Sequence, residues 1–416
     1  MGALLVLVRK ITPKQWFMIS TMVVNGGNYL YNLILGRLLG PKAFAEAALM
    51  ITLLLVLSFI GMTFQMTVAK FIAQTDGTDR KAVTDQLYRY GLWAGALFGF
   101  TVYVGAPSLQ QFFHTQNALM FRIFGIGIPI YFLMSINRGK NQGAHEFKKL
   151  AVSYQSEMWG RLFITVAALI LLPFQHGVLV AFGIFISLVM GSFPMKLKPS
   201  RIFRPSRLSP LLKKRIKHFI AITAFYELTQ ILINNSDIIL VKRYFADEQA
   251  GLYASLALIG RVVYFIAWML VMLLLPEVVK AKKEGIPTTP MLLRYVSYIS
   301  ALSIGIVSFC ALFPEFVIRA LFGGAYLSMS ALLWQYALAT SLFAVANIFT
   351  YYYLSLDRYT PIWLAAIFGC VQVLLLIFFH GTLSMVVQVQ LIAMSALLIT
   401  QLIYYIRYDV RKKTSG

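Results

Sequence analysis

The chain has 416 residues, of which 59% are hydrophobic and only 12% are charged, and its mean hydropathy is +0.74. Such a composition excludes a soluble globular domain, and the continuity of the apolar runs excludes a β-barrel, whose strands alternate over short stretches. The net charge of +22 would fit nucleic acid, but the cations gather in alternate loops, which is the signature of membrane topology instead.

A spanning helix needs about 20 mostly apolar residues. Segments of this kind are predicted near 14–38, 43–73, 88–112, 117–137, 148–173, 175–195, 217–242, 249–279, 291–316, 327–355, 360–380 and 384–407. The expected fold class is therefore an all-α, polytopic membrane protein of about twelve transmembrane helices. The opening "MGALLVLVRK" is too short and wrongly flanked for a cleaved signal peptide. In the first segment Asn25, Asn28 and Asn32 recur at spacings of three and four, which places them on one helical face. Arg122 lies a few residues inside the fourth segment, near enough to its outer end to snorkel. In the fifth, Arg161 follows Glu157 by four residues, an orientation that favours a self-neutralising helical pair.

The hydrophilic break "KLKPSRIFRPSRLSPLLKKRIKH" (196–218) divides the chain into two halves of six segments. Residues 1–195 are expected to form an N-terminal bundle, 196–218 a basic cytoplasmic linker, and 219–416 a C-terminal bundle. The seventh segment carries Glu227, Gln230, Asn234 and Asp237 at spacings of three, four and three, again one stripe. A charge in the bilayer centre costs roughly 2.5–3.5 kcal/mol even on lenient scales, so the stripe faces water or a partner. It lines a central cleft with the asparagines of the first segment, or the amides bond neighbouring helices as packing glue. Glu227 and Asp237 are candidates for H+ or Na+ coupling. Arg261 lies about a dozen residues into the eighth segment, followed at three and seven positions by Tyr264 and Trp268. A cation among aromatic planes suits an anionic group attached to a sugar or lipid. The competing role is an ion pair with Glu227.

Arg9, Lys10, Arg80, Lys81, Arg138, Lys140, Lys148, Lys149, Lys280, Lys282, Lys283 and 411–413 lie on one side, and nine cations crowd 196–217. The opposite loops "HTQN", "PFQHG" and "HGTLS" hold almost none. Both termini are therefore expected in the cytoplasm, with anionic membrane lipids as neighbours. Cys310 and Cys370 fall in apolar segments, and the five histidines are scattered, so no disulfide, metal site or cofactor is expected. The acceptor pattern "NNS" (234–236) lies within a helix, where glycosylation is disfavoured.

The halves look related. "NLILGR" (32–37) aligns with "DIILVK" (237–242) at an offset of 205, which also sets Asn25 on Gln230. An even number of helices per half makes the repeats parallel, with two pseudo-symmetric six-helix bundles around a central cleft.

Three stretches carry a family resemblance: "YNLILGRLLGPKAFAEAALM" (31–50), "INRGKNQGAHEFKKLAVSYQSEMWGRL" (136–162) and "NNSDIILVKRYFADEQAGLYASLALIGR" (234–261). The last includes Asp237, Lys242, Phe245, Ala250, Gly251 and Tyr253 in a D…K-Y/F…A-G-x-Y pattern. Together they resemble the polysaccharide-flippase branch of the multidrug/oligosaccharidyl-lipid/polysaccharide (MOP) exporter superfamily. That resemblance implies a non-enzymatic flippase for undecaprenyl-pyrophosphate-linked oligosaccharides in a bacterial inner membrane, working by alternating access. It also implies a substrate cleft to which Asn25, Asn28, Asn32, Gln65, Glu227, Asn234, Arg261, Tyr264 and Trp268 contribute, with Arg261 opposite the phosphates. Arg122 and Arg161 are further candidate cations for substrate. Glycosyltransferases and a polysaccharide polymerase are the partners such a role implies. Two features depart from relatives of this kind: the peptidoglycan-precursor flippases have fourteen helices, and the acids of a known sodium site are missing from "PIWLAAIFGCVQVLLLIFFH" (361–380).

The first alternative is a cation-coupled multidrug antiporter of the same superfamily. It would favour an acidic cavity, whereas Arg122, Arg161 and Arg261 here balance Glu157, Glu227 and Asp237. A membrane-embedded polymerase or glycosyltransferase is disfavoured, because there is no Asp-x-Asp pair, no His-Asp dyad at short spacing and no phosphate-cradling glycine loop.

Overall fold

The computed structural model describes residues 13–75, 77–193, 208–264, 266–267, 274, 277–278, 281–282, 284–356 and 358–407. Among them every regular element is helical. The expectations for Trp268, Arg9, Lys10, Lys280, Lys283, 411–413 and most of the linker lie outside the described residues.

Helix α1 (Pro13–Gln74) covers the first two predicted segments and is broken at Gly40, where φ is 69° and ψ is 171°. That backbone region is essentially confined to glycine, and the Pro41 that follows is preset for the first turn of a new helix. "LGPKAF" is thus a stop and a restart, and α1 has two arms. Helices α2 (Gly77–Val104) and α3 (Ala106–Phe113) form a pair bent by 61°. Then come α4 (Leu119–Gly143), α5 (Phe147–Leu171), α6 (His176–Gly191) and the long α7 (Pro210–Tyr244). The second half continues with α8 (Asp247–Gly260), α9 (Thr289–Leu312), α10 (Pro314–Leu321) and a 3-10 turn (Gly324–Met329). It ends with α11 (Ser330–Ser355), α12 (Thr360–Phe378) and α13 (Leu383–Tyr405).

These elements follow the twelve predicted spans in order. By length and composition, seven described helices are apolar enough to cross a membrane, or eight with the bent pair counted as one span. One of the seven, Trp16–Gln74, contains both arms of α1. Helix α6 falls short because it has 16 residues, and α5 carries Glu157 and Arg161 within its apolar stretch. The eighth segment differs from expectation at one point: α8 ends at Gly260 and helix resumes at Val262, so Arg261 sits at a break between two helical stretches and not inside one continuous helix. A side chain at Gly260 would run into the Tyr336 ring.

The chain forms two compact units, one of residues 1–39 with 46–228, the other of 40–45 with 229–416. Their boundary falls inside α7, after Leu228, beyond the hydrophilic break that marks the halves in the sequence. Residues 40–45 belong with the second unit because Gly251 of α8 packs directly on the Pro41 carbonyl and Phe44 meets the rings of Phe322 and Tyr326. Two short helices were not legible in the sequence. Helices α3 and α10 each have eight residues, each follows the third span of its half, and each has a proline at its start. Pro107 and Pro314 are 207 residues apart, close to the offset of 205 found upstream, so the internal repeat reaches the third span of each half.

In lipid there is little hydrophobic drive between helices, and close backbone approach takes its place. Gly91, Gly95 and Gly99 line the face of α2 that meets α4. A Cβ at Gly95 would lie 2.9 Å from the Pro129 Cα, and one at Gly99 would lie 2.6 Å from the Gly125 carbonyl oxygen. Backbone atoms cannot swing aside, so Gly95→Val is expected to destabilise the first unit by about 1–3 kcal/mol. A lowered midpoint of thermal unfolding in detergent would record it. On the other side of α4, Gly139 fits against Gln65 and Val68 of α1, which sets the depth of Arg138 and Gln142.

Candidate functional site

Each unit carries a buried polar cluster. In the first unit, Ser153, Glu157 and Arg161 are spaced by four on one face of α5. Glu157 forms ion pairs with two guanidinium groups, to Arg138 of α4 at 2.7 Å and to Arg161 at 3.4 Å. The pairs differ in more than length. Arg138 also donates from Nε to Ser153 Oγ at 2.8 Å and from Nη2 to the Ser153 carbonyl at 3.0 Å. It lies 4.0 Å from the Tyr154 ring centroid. Ser153 in turn donates to the Gly191 carbonyl of α6, so three helices fix Arg138. Arg161 instead reaches α1, where Nη2 donates to Asn28 Oδ1 and the guanidinium lies 5.6 Å from the Tyr31 ring.

The network continues along α1. Gln65 Nε2 donates to Gln142 Oε1 and to the Tyr154 hydroxyl, both at 3.0 Å. Gln155 Nε2 donates to the carbonyl and hydroxyl oxygens of Ser20. Arg138, Glu157, Arg161 and Gln65 are all buried. Two cations against one carboxylate leave this triad with a net charge of +1.

In the second unit Asp237 of α7 is fully buried and takes three donors. Arg261 Nη2 donates to Oδ1 at 2.7 Å, while the hydroxyls of Tyr336 and Tyr253 donate to Oδ2 at 2.7 and 3.1 Å. Arg261 Nε also donates to the Tyr336 hydroxyl at 3.1 Å, and Gln390 Nε2 donates to that of Tyr253 at 3.0 Å. Nearby, Lys242 is buried and ion-paired with Asp247. The charges in this cluster cancel. The family-like pattern of Asp237, Lys242, Gly251 and Tyr253 therefore builds the interior of the second unit.

The structure distributes the sequence candidates unevenly. Asn28, Arg161 and Gln65 enter the first cluster, together with Arg138, which the sequence had placed among loop cations. Its burial corrects that assignment. The reason lies in α4, which stays helical through "INRGKNQG" to Gly143 and turns Arg138 towards Glu157. Asn25 is exposed, and Asn32 Nδ2 donates back to the Asn28 carbonyl at 2.8 Å. Arg122 is exposed and lies 5.9 Å from the Tyr103 ring, consistent with snorkelling. Asn234 bonds within its own helix to Gln230. Tyr264 donates to Gln230 Oε1 at 3.3 Å and stacks on Phe343.

The competing role for Arg261, an ion pair with Glu227, does not form: Arg261 pairs with Asp237, ten residues further along α7, where the carboxylate also meets Tyr253 and Tyr336. Glu227 itself is buried, and its carboxyl has no hydrogen bond or ion pair among the described residues. No group of three or more His, Cys, Asp or Glu side chains suited to a metal occurs among them. Tyr336 and Gln390 escaped the sequence reading because they lie 99 residues from Asp237 and 137 from Tyr253, distances at which no periodicity connects residues.

Residues 34–331 match the family model described as "Polysaccharide biosynthesis protein". No functionally curated protein matches the chain. Among solved structures, an inward-facing multidrug resistance MATE family transporter of the MOP superfamily superposes with a TM-score of 0.73 at 16% identity, covering 94% of this chain and 96% of that one. The lipid II flippase MurJ, in an inward closed conformation, gives 0.74 at 14% identity over 95% and 87%. An outward-facing MATE transporter gives 0.60 at 14% over 97% and 98%. These likenesses are to transporters and a flippase, not to enzymes, and the chain, a polytopic helical membrane protein with the MOP-superfamily fold, belongs to the polysaccharide biosynthesis protein family.

Proposed function

We propose that the protein is a flippase that carries undecaprenyl-pyrophosphate-linked oligosaccharide units across the bacterial inner membrane for surface polysaccharide synthesis. The observation that carries this reading is the buried triad of Arg138, Glu157 and Arg161, whose charges leave one cation uncompensated within the first unit. A buried cation is costly in a bilayer and is retained where an anion meets it. The diphosphate of a lipid-linked glycan is such an anion. Arg161 is the phosphate ligand in this proposal, with Asn28 beside it and Gln65 and Tyr154 offering hydrogen bonds to sugar hydroxyls.

Arg261 contributes less directly, since its Nε and Nη2 are occupied by Tyr336 and Asp237. The polyprenyl tail stays in the bilayer throughout, and the membrane lipids and the enzymes that make and polymerise the glycan are the partners. Solved MOP-fold transporters adopt inward-facing and outward-facing conformations, and we infer alternating access here, with both termini in the cytoplasm.

The test is reconstitution in proteoliposomes with a fluorescent undecaprenyl-diphosphate oligosaccharide. Flipping that depends on the protein supports the reading, and its absence overturns it. One observation favours the multidrug reading, namely the buried Glu227, whose carboxyl meets no ion-pair partner among the described residues. A lone acid suits a cationic drug or a coupling proton. Glu227→Gln separates these. As a coupling site, it is expected to abolish the dependence of glycan flipping on a proton or sodium gradient. Extrusion of a cationic dye by the wild type, lost in the same variant, would reverse the ranking.

A further inference from the structure

Glu157 stands between two arginines that hold it differently. The contact with Arg138 is short, and that guanidinium is also forked onto the hydroxyl and carbonyl of Ser153, which is anchored to Gly191. The contact with Arg161 is longer, 3.4 Å, and the other end of that guanidinium already reaches away to Asn28 on α1. No described side chain bonds to Arg161 Nε. A carboxylate neutralised by one firmly held cation binds a second one weakly, because only the first pairing cancels its charge.

We propose that Arg138 is a positioning residue: by neutralising Glu157 it leaves Arg161 as a surplus cation, free to exchange its long contact with Glu157 for the diphosphate group of a lipid-linked substrate. The inference rests on the flippase reading above and adds a residue and a division of labour to it. In the resting protein Glu157 steadies Arg161. When a diphosphate arrives, Arg161 turns to it, and Glu157 keeps Arg138, so no carboxylate is left buried without a counter-charge. Substitution of Arg138 alone should therefore weaken binding without touching the ligand, by locking Arg161 onto Glu157.

The experiment measures binding of farnesyl diphosphate, a short polyprenyl diphosphate, to the purified full-length protein in detergent. Folding is monitored by size exclusion and thermal unfolding. Arg138→Gln is expected to weaken binding by about tenfold, the size of a coupling between contacting charges. In Arg138→Gln/Glu157→Gln the trap is gone, and affinity is expected to return to within roughly threefold of wild type. Arg138→Lys keeps the charge without the fork and is expected to stay close to wild type. A purely structural Arg138 predicts the reverse, with the double variant no better than the single one and Lys as poor as Gln. Either of those results, or unchanged binding in Arg138→Gln, overturns the inference while leaving the flippase reading intact. Failure of the wild type to bind the diphosphate overturns both. Competition by phosphatidylglycerol at equal concentration separates the sources of the phosphate: displacement of the probe assigns Arg161 to bulk headgroups and overturns the proposal as stated.

Discussion

Asp237→Ala is expected to unfold the C-terminal unit well below the wild-type midpoint, with a loss of about 3–5 kcal/mol, the usual result of leaving one member of a buried ion pair without its partner. Four groups depend on that carboxylate. Arg261 would keep a full charge in the protein interior, and Tyr336 and Tyr253 would lose the acceptor of their hydroxyls. Gln390, which reaches Tyr253 from α13, would lose its anchor at second hand. Arg261→Ala is expected to do similar damage from the other side, by stranding the carboxylate. The paired replacement Asp237→Leu/Arg261→Met removes both charges and should be milder than either single change. Thermal unfolding in detergent, with the amount of protein in the membrane fraction as a second readout, checks the order. If Arg261→Ala instead leaves the midpoint unchanged while ending glycan export, Arg261 acts on substrate and its pairing with Asp237 is incidental.

Arg161→Ala is expected to end export of the lipid-linked glycan while the protein remains inserted and folded. The distinction from Arg261 follows from the bonding. Removing Arg161 leaves Glu157 with Arg138, so no charge is stranded, and Asn28 regains the option of bonding its own helix. What disappears is the cation for the diphosphate. Truncating one side of a desolvated charge pair weakens binding by about 2–5 kcal/mol, roughly 30-fold or more. Arg161→Lys keeps the charge but not the planar fork, and partial retention of flipping would show how much of the recognition is bidentate. Normal surface polysaccharide in the alanine variant would remove Arg161 from the mechanism. The two clusters therefore carry opposite expectations: in the first unit a loss of function without a loss of fold, in the second a loss of fold that takes function with it.

The contrast also marks what local pattern can reveal. The spacing of Glu157 and Arg161 predicts a helical pair, and the pair exists at 3.4 Å. The same reading missed Arg138, the stronger partner, because a cation at the end of an apolar run is indistinguishable from a cytoplasmic loop residue until the helix end is known. The one-face stripe on α7 was visible, but its members part company. Asp237 turns to Tyr253 and Tyr336, Asn234 returns to its own backbone, and Glu227 finds no ion-pair partner among the described residues. Helical periodicity gives a direction around one axis and leaves the neighbour in that direction unspecified.

Sequence by itself determined the class of the protein, the order of its spans, a division between the first two near residues 39–42 and the repeat between halves. Each of these follows from short-range chemistry: apolar length against bilayer thickness, glycine and proline at one backbone position, a recurring order of side chains. Only the tertiary structure decided which charges meet. Pairing depends on the depth and rotation at which separate helices pack, and those are set by many small contacts, such as Gly139 on α1 and Gly260 on Tyr336, that no single stretch of the chain contains.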